Sequence, residues 1–153
     1  MEEVDGIRYH RLDPGAAYPA ERPFDLGLRD YSWLAARVAR EERPAVIHAA
    51  SGPRGCDAAL VGLALGAHIG IPVVYEMRSF FEGTWSSNAE ASEHAEYARR
   101  RWAAETRAMR AVDAVVTLSE TMRREVIERG VAEDRAVVVA NGVDVEFFAP
   151  RPR

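Results

Sequence analysis

At 153 residues, with 48% hydrophobic and 29% charged residues, the chain has the composition of one globular domain; a domain of this length buries roughly 70% of the surface its unfolded form exposes. The formal net charge of −4 gives no basic excess of the kind nucleic-acid binding draws on. All 20 basic residues are arginine, which excludes Schiff-base, Walker and pyridoxal lysine chemistry.

The N-terminus, Met1 to Gly6, is acidic where a secretory signal is basic and then apolar. Cys56 is the sole cysteine, so no internal disulfide can form, and a reducing compartment is the expectation. Ile7 to Leu12 alternates like a strand with one covered face, and Asp13-Pro14-Gly15 ends it. Residues 13–27, with Pro14, Pro19 and Pro23, read as loop. Asp30 or Ser32 can cap a helix through Glu42, with Leu34, Ala35 and Val38 at helical spacing.

A strand follows from Ala45 to Ala50, then a turn at 51–55 and an almost wholly apolar helix from Asp57 to His68. The apolar run Ala58 to Tyr75 is broken by Gly62, Gly66, His68, Gly70 and Pro72, so it reads as a buried helix plus a strand and not as a membrane span. The strand Val73 to Tyr75 turns abruptly polar and aromatic: Glu76, Arg78 and Glu82 alternate with Phe80, Phe81 and Trp85. A long helix is expected from about Glu90 to Val112, with Tyr97, Trp102 and Met109 toward the core and Glu96 paired to Arg100. The strand Ala114 to Leu118, a helix Glu120 to Arg129 capped by Ser119 and ended by Gly130, and the strand Ala136 to Ala140 complete the pattern. Asn141 to Asp144 turns out of the last strand.

Alternating strands and helices imply right-handed crossovers, hence an α/β fold: a Rossmann-like parallel sheet with helices on both faces. In such a sheet the C-terminal strand ends face one crevice. Those ends carry His48 with Ser51 and Arg54, Glu76 with Arg78 and Glu82, Ser119 with Glu120, and Asn141 with Asp144. Each has a plainer reading: His48 as a satisfied core histidine, Ser119 as a helix cap, Asn141-Gly142 as a tight turn. Glu76 and Arg78 can simply pair. Three charges and three aromatics within ten residues exceed the needs of a structural edge, so function is favoured there. His10, His48, His68 and His94 show no metal-ligand spacing, and no G-x-S-x-G elbow occurs.

Five segments carry a resemblance: Pro44-Ala-Val-Ile-His48, Gly70 to Arg78, Ala114 to Glu120, Arg129-Gly130, and Val139 to Asp144 with Phe148 and Pro150. In this order and spacing they resemble family 4 glycosyltransferases, over about residues 4–152. The Asp5-to-His10 segment also resembles the stretch after the first two strands of the acceptor-side, N-terminal domain. The resemblance implies the incomplete N-terminal half of a GT-B fold, with residues 1–148 forming the domain and 149–153 starting an interdomain linker. It implies retaining transfer of a sugar from a nucleotide-sugar donor to an acceptor, of hexosyltransferase type, with no cofactor and no metal.

The donor would be held by a C-terminal domain beyond Arg153, so the isolated fragment is expected to be inactive. The partners would be that donor and a sugar or lipid-linked acceptor, with no nucleic acid; the location would be cytoplasmic, membrane-peripheral if the acceptor is a lipid. The resemblance makes Glu76 and Arg78 the catalytic candidates. His48, Ser51, Phe81, Glu82, Trp85 and Ser119 are acceptor-side candidates, and Asn141, Gly142 and Asp144 interdomain or donor-side ones. Many relatives carry a histidine where this chain has Glu76. Two rivals stay open: a non-catalytic saccharide- or protein-binding α/β module, and a GT-B-like sugar-nucleotide epimerase.

Overall fold

The computed structural model describes residues 1–12, 24–52, 55–80, 92–145 and 147–148. Among them the chain forms a four-stranded parallel sheet flanked by helices, as the strand–helix alternation predicts, plus a separate two-stranded hairpin. The hairpin pairs β1 (Glu2–Val4) with β2 (Ile7–Tyr9) antiparallel, and Asp5 and Gly6 turn between them with φ of 51° and 76°. Positive φ at both central residues is what a two-residue hairpin turn of matching twist requires, and Asp-Gly supplies it. The expected strand over 7–12 is thus shorter, because it pairs only as far as its partner reaches.

The sheet runs β3 (Ile47–Ala50), β4 (Val73–Met77), β5 (Ala114–Thr117), β6 (Ala136–Val138) in spatial as in chain order. Crossovers are made by α2 (Asp57–Ile69), α3 (Ser92–Ala111) and α4 (Glu120–Glu128), the last followed by a 3-10 turn at Glu133–Arg135. Side chains alternate in register across the strands. Ala49, Tyr75, Met77 and Val115 share one face with Ala59 of α2, Ala108 and Met109 of α3 and Val126 of α4, and together they make the main core. Burial of one such large apolar side chain is worth about 1.5–3 kcal/mol.

Helix α2 lies close against this face because glycines line its inner side. A Cβ on Gly66 would meet Val73 Cγ2 at 2.6 Å and the Ile71 carbonyl oxygen at 2.8 Å. Gly130 (φ 94°) then ends α4 as expected, donating to the Ile127 carbonyl at 2.8 Å while Val131 donates to Val126 at 3.1 Å. That double bond pattern is the left-handed glycine cap that satisfies the last helical carbonyls.

Helix α1 (Phe24–Glu42) begins earlier than Asp30. Leu28 packs against the small cluster of Ala36, Val61 and Leu65 that joins α1 to α2, and tertiary packing of this kind extends a helix beyond its polar cap signals. Ser32 is consequently no cap; its hydroxyl donates back to the Leu28 carbonyl at 2.7 Å. On α3 the core expectation holds for Met109, which is fully buried, and fails for Tyr97 and Trp102, which stay 55% and 45% exposed. The inner positions go to the stripe Glu105, Ala108, Met109 and Val112, at spacings of three, four and seven. Glu96 and Arg100 form the expected exposed pair.

Candidate functional site

The C-terminal end of β4 carries the central group. Because side chains alternate, Glu76 points away from the core face that Tyr75 and Met77 occupy. Its neighbour on β3 is Ala50, whose small side chain leaves room, and His48 stands two residues back on the same face. Glu76 Oε2 lies 3.1 Å from His48 Nε2, and Glu76 Oε1 lies 3.1 Å from Arg78 Nε. Each carboxylate oxygen therefore has its own partner, which fixes the plane of the group. Glu76 is 18% exposed, while His48 and Arg78 are more than half exposed. Pairs with one well-solvated member contribute about 0–1 kcal/mol to stability, so this arrangement orients a carboxylate more than it holds the fold.

Ser51 supports the arrangement from beneath. It is buried, its backbone N–H donates to the Glu76 carbonyl at 2.8 Å, and its hydroxyl accepts from the Arg78 backbone N–H at 2.9 Å. Arg78 lies one residue past the strand, and these two bonds carry the β3–β4 pairing on to it. The predicted set His48, Ser51, Glu76 and Arg78 is thus brought together. Ser119 stands at the end of the next strand, where its hydroxyl accepts from Met122 N–H at 3.3 Å as the helix cap the sequence implies. Asn141 and Gly142 follow β6 at the same edge and are exposed. Asp144 closes the turn there, accepting from Phe147 N–H at 3.1 Å. Phe81, Glu82, Trp85 and Arg54 lie outside the described residues.

Three features escaped the sequence reading. Tyr75 donates its hydroxyl to the buried Glu105, inside the core. A carboxylate at a core position of the α3 stripe was the available signal. A Cβ on Gly55 would lie 2.7 Å from Arg101 Nη2 and 2.8 Å from Glu105 Oε2, so both side chains close against the backbone of the β3–α2 loop. Arg129, whose side chain is 6% exposed, stacks on Phe80 at 4.5 Å and on Trp102 at 5.2 Å and donates to Glu125 at 2.8 Å. Phe80, one of the three aromatics for which the sequence favoured function, is therefore engaged within the protein.

Cys56 sits beside this buried polar group. Burial first, then the charges of Glu105 and Asp57, push its thiol up to about 11, so it stays protonated and unreactive near neutrality. Arg123 ties α4 to the start of β6: it donates to the Ala136 carbonyl at 2.8 Å and pairs with Glu133 and Glu120. Those partners raise its pKa, Glu133 most. Among the described residues no group of three or more His, Cys, Asp or Glu is placed to hold a metal ion, and no helix is long and apolar enough to cross a membrane.

The model of a family described as a glycosyl transferase 4-like domain matches residues 1–142. Among solved structures, HepE of Anabaena in complex with UDP-glucose superposes with a TM-score of 0.59 at 17% identity, over 86% of this chain and 31% of that one. The UDP-N-acetylglucosamine 2-epimerase of Rickettsia bellii superposes with a TM-score of 0.50 at 13% identity, over 84% of this chain and 29% of that one. The chain thus spans about a third of the length of each of these proteins. No curated protein matches the sequence.

Proposed function

We propose that this chain, which belongs to the glycosyl transferase 4-like domain family, is the acceptor-side half of a two-domain enzyme that moves a hexosyl group from a nucleotide sugar to an acceptor hydroxyl with retention. The observation that carries the reading is the Glu76 carboxylate, oriented by His48 and Arg78 at the C-terminal edge of a parallel sheet. UDP-glucose in the structural neighbour HepE supports a nucleotide-sugar donor. Coverage of about a third of each neighbour supports the view that a donor-side domain completes the site and that the 153-residue chain alone does not turn over.

In the reaction the bond from the sugar anomeric carbon to the leaving phosphate breaks with its electron pair on the phosphate oxygen, and a bond to the acceptor oxygen forms as that hydroxyl gives its proton to the departing phosphate. Positive charge builds on the sugar ring as the leaving group departs. Glu76, held in place by His48 and Arg78, accepts a hydrogen bond from the acceptor hydroxyl and offsets that charge. Arg78 holds the carboxylate and presents its remaining N–H groups to a phosphate or acidic acceptor. His48 fixes the second carboxylate oxygen. Ser119, Asn141, Gly142 and Asp144 border the same crevice from the next strand ends, with Phe81, Glu82 and Trp85 reserved for acceptor contacts. No metal or cofactor takes part.

The likeness to an epimerase favours one second reading, a sugar-nucleotide epimerase on the same sheet. The two are separated by product analysis of the complete native polypeptide with nucleotide sugars and an acceptor panel. Mass spectrometry of an acceptor that has gained a hexose supports transfer. Release of an epimeric sugar with every acceptor unchanged supports the epimerase, and saccharide binding indifferent to nucleotide sugar would replace both with a binding module.

A further inference from the structure

Away from the strand ends, α1 and α2 enclose a groove of about 290 Å³. Its floor and wall are apolar: Ala36 and Leu65 are buried beneath it, Ala64 borders it, and the Trp33 indole forms one side while remaining 62% exposed. Arg29 and His68 line it as well. Arg29, Trp33, Arg37 and Arg40 follow one another at spacings of four, four and three along α1, which sets them on one stripe of the helix. Arg29 is partly offset by Asp30, 3.0 Å away.

From α2, His68 meets this stripe: Arg40 Nη2 donates to His68 Nε2 at 2.8 Å. A guanidinium has only donors, so in this contact the imidazole nitrogen accepts. His68 thus anchors the Arg40 guanidinium at the mouth of an apolar groove. Guanidinium forks match the paired oxygens of an anionic head, and exposed aromatic and long basic side chains suit a ligand with one apolar and one charged end.

We propose that this groove binds an anionic amphiphile, its alkyl chain against Trp33, Ala36, Ala64 and Leu65 and its phosphate head on the Arg40 guanidinium that His68 anchors. The site goes beyond the transfer reading and stands whether or not that reading holds. The same chemistry arises from a free alkyl phosphate or from one chain and headgroup of an anionic lipid.

The test is calorimetric titration of the native polypeptide with hexyl phosphate, beside inorganic phosphate and hexanol, together with co-sedimentation on phosphatidylglycerol and phosphatidylcholine vesicles. Hexyl phosphate should bind at least about tenfold more tightly than either half alone, since head and chain act together. Trp33→Ala and Arg40→Gln, with unchanged melting temperatures, should each weaken binding by about tenfold, the effect of one lost charge-assisted contact or its apolar equivalent. Retention on phosphatidylglycerol but not phosphatidylcholine vesicles, lost in both variants, assigns the ligand to a lipid; hexyl phosphate binding without vesicle retention assigns it to a free monoester. Failure of both probes, or binding that neither substitution weakens, overturns the proposal.

Discussion

On β4, Val73, Tyr75 and Met77 are buried to 2% exposure or less, while Glu76, set between two of them in sequence, turns to the opposite face and meets His48 and Arg78. One strand therefore carries two regions of different purpose. The first is packed from helix to sheet and tolerates little change of shape. The second is held by partly solvated polar contacts that contribute little stability, so its residues can be exchanged without unfolding the domain. The contrast teaches that side-chain parity along a single strand can separate what folds this domain from what it does.

The comparison is tested most severely on the buried side. Met77→Ala leaves a cavity between β4 and its covering helices and should lower stability by about 2–5 kcal/mol, read by denaturant unfolding. Tyr75→Phe removes the hydroxyl that donates to buried Glu105; a loss of about 1–3 kcal/mol is expected from the same measurement. Gly66→Ala gains up to about 1 kcal/mol of helix propensity but forces a methyl onto the Ile71 carbonyl and Val73. Overpacking of that kind should outweigh the gain and leave a net loss of about 1–2 kcal/mol.

On the other face, His48→Ala should change stability by less than about 0.5 kcal/mol. Cys56 sharpens the contrast by chemistry: with its thiol held at about 11, it should resist an aromatic disulfide reagent at pH 8 in the folded protein and react once the protein is unfolded in urea. Fast labelling of the native state would show that the region around Tyr75 and Glu105 is not packed as described.

Much of this was legible in the sequence. The parallel order of strands, the helices between them, the Ser119 cap and the Gly130 stop follow from apolar period and end signals, and each is found. The grouping of His48 with Glu76 and Arg78 was legible because strand ends in such a sheet converge on one edge. What stayed hidden depends on contacts distant in sequence. The early start of α1 comes from Leu28 packing on α2, the place of Trp102 from Arg129 stacking on it from another helix, and the Arg40–His68 contact from two helices meeting 28 positions apart. Local pattern cannot report such pairings, since each depends on which helix lies beside which.

The central claim is that Glu76 acts in chemistry and not in folding. Its most direct test is Glu76→Gln in the complete native polypeptide, measured as kcat for sugar transfer and as melting temperature on one preparation. The account predicts a fall in kcat of about 10²–10³-fold, the loss of one charge aimed at the developing cation, with the melting temperature within about 2 °C of the parent. A variant that melts well below the parent and keeps its kcat while folded would contradict the account and make Glu76 a structural residue.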